Sequence, residues 1–146
     1  MAFNGTFDHT LDAKNRLTMP AKYRSLLAGG VILVRAPGPP CLSLYLEPVW
    51  TELVDRSLAG RNPLHPETQE MRHLIHSRSD DMELDGAGRI TLQARHLEYA
   101  RIQGREVVIT GGGDCLHVWD RATARAHDAD ADARLHDLFS SLGHPA

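Results

Sequence analysis

The sequence predicts an α+β fold dominated by β-structure. It is expected to hold two tandem ββαββ units that form one pseudo-two-fold, β-barrel-like core, with connecting helices and a C-terminal helix. The first observation behind this is an internal repeat. Leu11-Asp12-Ala13-Lys14-Asn15-Arg16-Leu17-Thr18-Met19 is echoed 73 residues later by Leu84-Asp85-Gly86-Ala87-Gly88-Arg89-Ile90-Thr91-Leu92. The second is that the echo continues: Val31–Val34 returns as Val107–Thr110, and Cys41–Tyr45 as Cys115–Trp119. Self-similarity of this length means two copies of one supersecondary unit, so a functional surface on one should also exist on the other. The third is punctuation, since short β-rich runs are separated by Gly and Pro clusters that bar long helices.

In the first unit, residues 5–11 alternate loosely and read as a strand, 12–15 as a turn and 16–19 as a second strand. Pro20, with its fixed φ, suits the first position of a short helix over 21–27, and Gly29-Gly30 ends it. Strands at 31–34 and 42–45 flank the irregular run Ala36-Pro37-Gly38-Pro39-Pro40. The second unit has the same order: a strand near 82–84, a turn at 85–88, a strand at 89–92, a helix over 94–100, and strands at 106–110 and 115–119. Between the units, Pro48 opens a helix to Leu58 and Pro66 opens one to Ser77, the latter with Met71, Leu74 and Ile75 on one stripe. From Arg121 the alanine-rich tail reads as helix to about Leu142, with Leu135, Leu138, Phe139 and Leu142 as a docking face. The implied organisation is 5–47 for the first unit, 48–76 for a helical connector, 77–123 for the second unit and 124–146 for the tail. A four-stranded unit of about 45 residues buries too little surface to stand alone, so the two are expected to share a core.

At 146 residues and 42% hydrophobic, the chain suits one compact domain. No apolar run approaches the roughly 20 residues that a membrane crossing needs. Met1-Ala2-Phe3-Asn4 has neither a basic n-region nor an apolar h-region, so no signal peptide is expected. Cys41 and Cys115 fall at matched repeat positions inside apolar runs, the placement of buried free thiols in a reducing compartment. Together these point to a cytoplasmic protein.

The net charge of −3 excludes a uniformly basic coat, but its distribution is uneven. Residues 1–36 sum to +3 and 85–105 to +2, while 37–84 and 106–146 each sum to −4. Both positive segments coincide with the repeated motif, the footprint of a nucleic-acid binder with acidic matter kept elsewhere. Each motif pairs an acid with an arginine at Asp-x-x-x-Arg spacing. Two roles are open to such a pair: the carboxylate can lock a β-turn, or it can hold the guanidinium ready for a ligand.

Residues 5–24, from Gly5-Thr6-Phe7-Asp8 through Met19-Pro20-Ala21-Lys22-Tyr23-Arg24, resemble the opening of the MraZ family. Asp85-Gly86-Ala87-Gly88-Arg89-Ile90 and the segment ending in Val118-Trp119-Asp120 resemble its second half, so the similarity spans most of 3–123. The resemblance implies tandem SpoVT-AbrB-like domains with a swapped-hairpin β fold. It also implies a DNA-binding transcriptional regulator, expected to be a repressor, of its own operon and of the division and cell-wall gene cluster. Its partners would be double-stranded DNA carrying short direct repeats near the promoter and further copies of itself in a ring-shaped homo-oligomer, with nucleoid association. On this reading Arg16 and Arg89 touch DNA, Asp12 and Asp85 orient them, and Lys14, Lys22 and Arg24 add phosphate contacts that set register. One protomer offers few such contacts, so avidity from adjacent subunits is required. Against the family pattern, Asn15 stands where glycine is common, and Asn tolerates the positive φ a turn needs. Gln93 replaces a proline, which should loosen the start of the following helix.

Two rival classes are weaker. An enzyme needs a catalytic constellation, and the sequence contains no Gly-x-Ser-x-Gly, phosphate loop or Cys-x-x-Cys. The stretch from His127 to Asp132 resembles a metal cluster but fails the calcium-loop template, with Ala133 where Gly is needed and Phe139 where Glu is needed. No cofactor or metal is expected. The alternative is an antitoxin-like or other protein-interaction module built on the AbrB-like fold, whose C-terminal helix would grip a partner.

Overall fold

The computed structural model describes residues 2–143. The elements follow the repeat: β1 (Thr6–Thr10), β2 (Arg16–Thr18), a 3-10 turn (Ala21–Tyr23) running into α1 (Arg24–Leu27), β3 (Val31–Val34) and β4 (Leu42–Tyr45). The connector is α2 (Glu47–Leu58) and α3 (Pro66–Ser77). The second unit is β5 (Ser79–Met82), β6 (Arg89–Thr91), α4 (Ala94–Tyr99), β7 (Glu106–Gly111) and β8 (Leu116–Asp120), followed by α5 (Arg121–Ala133) and α6 (Leu135–Ser140).

The strand order of the main sheet is β1-β7-β8-β4-β3-β5, all antiparallel, and β2 pairs with β6 in a separate two-stranded ribbon. Exchanging the two units leaves this order unchanged apart from direction, so the sheet has a pseudo-two-fold axis between β4 and β8. The first strand of each unit has left its own unit. Phe7 lies opposite Ile109 on β7, and the matched residue Asp80 lies opposite Leu33 on β3. The expected barrel-like core is therefore corrected: β1 and β5 each have a neighbour on one side only, and the sheet stays open because β2 and β6 bond to one another.

One apolar cluster draws on both units and lies between the sheet and the ribbon. It includes Leu11, Leu17, Met19, Leu33 and Leu44 from the first and Ile90, Leu92, Ile109, Leu116 and Val118 from the second. Side chains alternate across the strands, so Val108 and Trp119 face the other way and pack with Cys41 and Ala124 of α5. Both cysteines are free and buried, and burial pushes each thiol up to about 11. Arg121 ties α5 to the sheet, bridging Glu106 at 3.1 Å and donating from Nη2 to the His9 carbonyl at 3.1 Å.

Several local expectations shift. The strand placed near 82–84 ends at Met82, because β5 takes its register from β3 (Val34 opposite Ser79, Val31 opposite Met82) and its residues have no apolar alternation of their own. Pro20 is the cap before the helical turn, with ψ 132°, and the turn begins as 3-10. Gln93 does not loosen α4: its backbone N–H donates to His96 Nδ1 at 3.0 Å, a bond that proline could not make. The tail breaks at Arg134 into two helices, and Leu135, Leu138, Phe139 and Leu142 are exposed, so the apolar face is not docked within the chain.

The units differ most at one matched pair of positions. In the first, Tyr23 packs edge-on against Phe3 and Phe7, and its hydroxyl donates to the Asn4 carbonyl at 2.9 Å. In the second, the matched His96 is fully buried, with Nε2 2.8 Å from Asp80, which also accepts from Arg95 Nη2 at 2.8 Å. Since the Gln93 N–H occupies Nδ1, the imidazole is neutral and Nε2–H is the donor to Asp80. Burial pulls the His96 pKa below its ordinary value of 6.5, against the raising effect of Asp80. A histidine held neutral when folded and free to protonate when unfolded contributes stability above pH 6.5 that is lost as pH falls below it. Urea unfolding at pH 7.5 and pH 5 is expected to show lower stability at pH 5. His96→Gln should reduce that difference, with the remainder coming from His9 and His117, whose burial acts in the same direction.

Candidate nucleic-acid interface

Each repeated motif folds into the same turn. In the first, Asp12 Oδ1 accepts from the backbone N–H of Lys14 and of Arg16, both at 2.9 Å, while Oδ2 accepts from Arg16 Nε at 2.6 Å. In the second, Asp85 Oδ1 accepts from Ala87 N–H at 3.0 Å and Arg89 N–H at 2.9 Å, and Oδ2 from Arg89 Nε at 2.9 Å. The two roles open to the carboxylate thus go to different oxygens, one holding the turn and one the guanidinium. The Nη groups of Arg16 and Arg89 make no hydrogen bond to other described residues. Hydrogen bonds to these carboxylates, led by the backbone N–H of Arg16, hold Asp12 down at about 2, and those led by the Arg89 N–H lower Asp85. Both acids remain ionised across the physiological range.

The ribbon brings the two turns together. Arg16 lies opposite Thr91, Leu17 opposite Ile90 and Thr18 opposite Arg89. Residues directly opposed in an antiparallel pair share a face, so Leu17 (0% exposed) and Ile90 (1%) enter the core side by side. Arg16, Thr18, Arg89 and Thr91 then share the outward face. Beyond the paired residues, Met19 N–H donates to the Gly88 carbonyl and Leu92 N–H to the Asn15 carbonyl, both at 2.9 Å, so each turn is bonded to the strand leaving the other. Arg89 Nη1 is 3.9 Å from Asp12, which therefore faces both arginines.

The turns need a left-handed residue in the fourth position, and the units meet that need differently. Asn15 has φ 58° and Gly88 φ 76°. Gly88 has a further reason to lack a side chain, because a Cβ there would come within 2.4 Å of Arg24 Cδ and Nε. Arg24 lies across the second turn, and its Nη2 donates to the Met19 carbonyl at 3.1 Å.

The structure brings together Asp12, Arg16, Asp85 and Arg89, with Lys14 exposed at the tip of the first turn. Arg24 packs against the second turn at Gly88. Lys22 sits on the 3-10 turn, with its ammonium 5.2 Å from the Tyr23 ring centroid. The sequence reading missed the Asp80–Arg95–His96 network, which joins residues 15 and 16 positions apart on two different elements, β5 and α4. Among the described residues no group of three or more His, Cys, Asp or Glu side chains is placed to hold a metal ion, and no helix is long and apolar enough to cross a membrane.

Comparison with known proteins adds to this geometry. Residues 2–71 and 76–135 match a family profile described as "MraZ protein, putative antitoxin-like". The chain is 39% identical over 123 residues to a transcriptional regulator MraZ of Nitrosomonas eutropha, covering 82% of each chain. It is 34% identical over 133 residues to one of Thiobacillus denitrificans, covering 88% of each. It is 35% identical over 146 residues to one of Mycobacterium sp. (strain KMS), covering 94% of this chain and 99% of that one.

The asymmetry of the turns is open to a stability measurement. Gly88→Ala combines a left-handed φ with a collision against the stem of Arg24, so urea unfolding should show a loss of about 1–3 kcal/mol. Asn15→Gly leaves a residue suited to the same φ, and should stay within about 0.5 kcal/mol of the parent. Equal effects at the two positions would contradict the role assigned to Arg24.

Proposed function

The chain belongs to the MraZ family, and from that membership and the geometry of the ribbon we propose that it is a sequence-specific DNA-binding transcriptional regulator reading duplex DNA through both Asp-x-x-x-Arg turns. The observation that supports this most is the outward face of the β2–β6 ribbon, where two arginines are held by their own aspartates on a rigid two-stranded element. A two-stranded ribbon fits the major groove, and an arginine fork pairs with guanine O6 and N7. Fixing the Nε–H on a carboxylate reduces the side-chain freedom that would otherwise be lost on binding, while leaving Nη donors for the base. Lys14 and Lys22 contact phosphate and set register without reading sequence, and Arg24 adds its charge while propping the second turn.

Residues 5–47 and 77–123 act as the two reading units, joined by 48–76, and the exchange of β1 and β5 between them fits a swapped-hairpin, AbrB-like arrangement. The protein works in the cytoplasm on the nucleoid, as a repressor of its own operon and of the division and cell-wall gene cluster, at short direct repeats near the promoter. A chain with this few basic contacts binds weakly alone, so adjacent copies in a ring-shaped homo-oligomer grip successive repeats and gain by avidity. A second reading, an antitoxin-like interaction module, is favoured by the exposed stripe of Leu135, Leu138, Phe139 and Leu142 on the tail. Its mark would be a stoichiometric small protein that co-purifies with the chain and is lost on removal of the tail.

Fluorescence anisotropy on duplex DNA from upstream of this protein's own gene, at several salt concentrations, tests the proposal. Arg16→Ala and Arg89→Ala are each expected to weaken binding by about 1–3 kcal/mol and to relax the preference over scrambled DNA. Lys14→Ala should weaken both duplexes alike and flatten the salt dependence. Feeble binding that is equal on all duplexes and unchanged by the arginine substitutions would refute it.

A further inference from the structure

We propose that Thr18 and Thr91 are specificity-determining residues that contact base edges beside the bases taken by the arginines, an inference that rests on the ribbon reading DNA as above. The sequence repeats Arg-x-Thr in both motifs, as Arg16-Leu17-Thr18 and Arg89-Ile90-Thr91. Strand alternation then places the threonine on the arginine's face and the apolar residue between them in the core. The register adds what the repeat alone does not show. Thr18 lies opposite Arg89 and Thr91 opposite Arg16, so each arginine is flanked by the threonine of the other unit. Four side chains, two from each unit, form the whole outward face of the paired ribbon.

Neither threonine is buried, and neither hydroxyl hydrogen-bonds to another described residue. Each thus presents a methyl group and a hydroxyl that donates and accepts. Those are the groups that recognise the thymine C5-methyl and the polar base edges in the major groove. Directly opposed residues have Cβ atoms about 4.5–5.5 Å apart, and B-DNA rises about 3.4 Å per base pair. A threonine beside an arginine that holds one base therefore meets a neighbouring base pair. Strand propensity also favours threonine at an exposed β position, and a purely structural threonine makes the opposite prediction for base preference.

The test uses the full chain and a labelled duplex from upstream of its own gene, in which each thymine in turn is replaced by deoxyuridine to remove one C5-methyl. Wild type should lose about fourfold in affinity at the contacted thymines, the worth of one buried methyl group. Thr18→Ser and Thr91→Ser, which remove the protein's methyl, should each abolish that sensitivity at a different position. Thr18→Val and Thr91→Val keep the methyl and the strand propensity, so they should retain uracil sensitivity while losing discrimination at a polar base edge. Wild-type base preference at every position in all four variants would overturn the proposal. Arg16→Ala and Arg89→Ala on the same duplex separate the two levels. Wild-type affinity in both arginine variants would mean that the ribbon does not read DNA. Loss in those variants with unaltered threonine profiles would reject the threonine assignment alone.

Discussion

The rest of the structure depends on the pairing of β2 with β6. Three residues from each unit form that ribbon, yet it sets the position of both turns, closes the core over Leu17 and Ile90 and leaves two arginines on one face. The hydrogen bonds from Met19 to Gly88 and from Leu92 to Asn15 extend the coupling into the turns themselves. Each turn is bonded to the strand that leaves the other, so the placement of each turn involves both units. This is the physical content of the duplication: two copies of one unit share a core by exchanging strands, and two copies of a charged turn are brought onto one face.

On that face, the aspartates divide their oxygens between the turn backbone and the arginine side chain. Oδ1 satisfies two backbone N–H groups of a tight turn, and Oδ2 takes the guanidinium Nε. A side chain that already must be where it is for the backbone's sake becomes a rigid mount for the arginine. Replacing either aspartate would then disturb turn and arginine together, so the arginine substitutions are the cleaner probe of binding.

The pseudo-symmetry is broken where the core permits it. The Tyr23–Phe7 packing of the first unit is replaced in the second by His96 and Asp80, with Arg95 closing the network. Both arrangements anchor the short helix after the ribbon to the exchanged strand. One does so by aromatic contact and the other by polar bonds to a buried imidazole, which would be costly to leave without partners. Arg24 of the first unit breaks the symmetry again by lying against the second turn at Gly88, whereas its matched residue in the second unit is Leu97.

The sequence alone determined the element order, the two units, the paired Asp–Arg turns and the buried cysteines, because these follow from local spacing: alternation, turn residues and a repeat visible along the chain. Asn15 in the left-handed region was legible for the same reason. Only the tertiary structure decided which strands pair. That β1 joins β7, that β5 starts at Ser79 and that the sheet stays open are outcomes of long-range hydrogen bonding, for which a strand such as Ser79-Asp80-Asp81-Met82 carries no local signal. The same holds at the candidate site. The spacing Asp-x-x-x-Arg is local and could be read. The grouping of Arg16 with Thr91 and of Arg89 with Thr18, and the reach of Asp12 toward Arg89, exist only once two segments 73 residues apart are laid side by side.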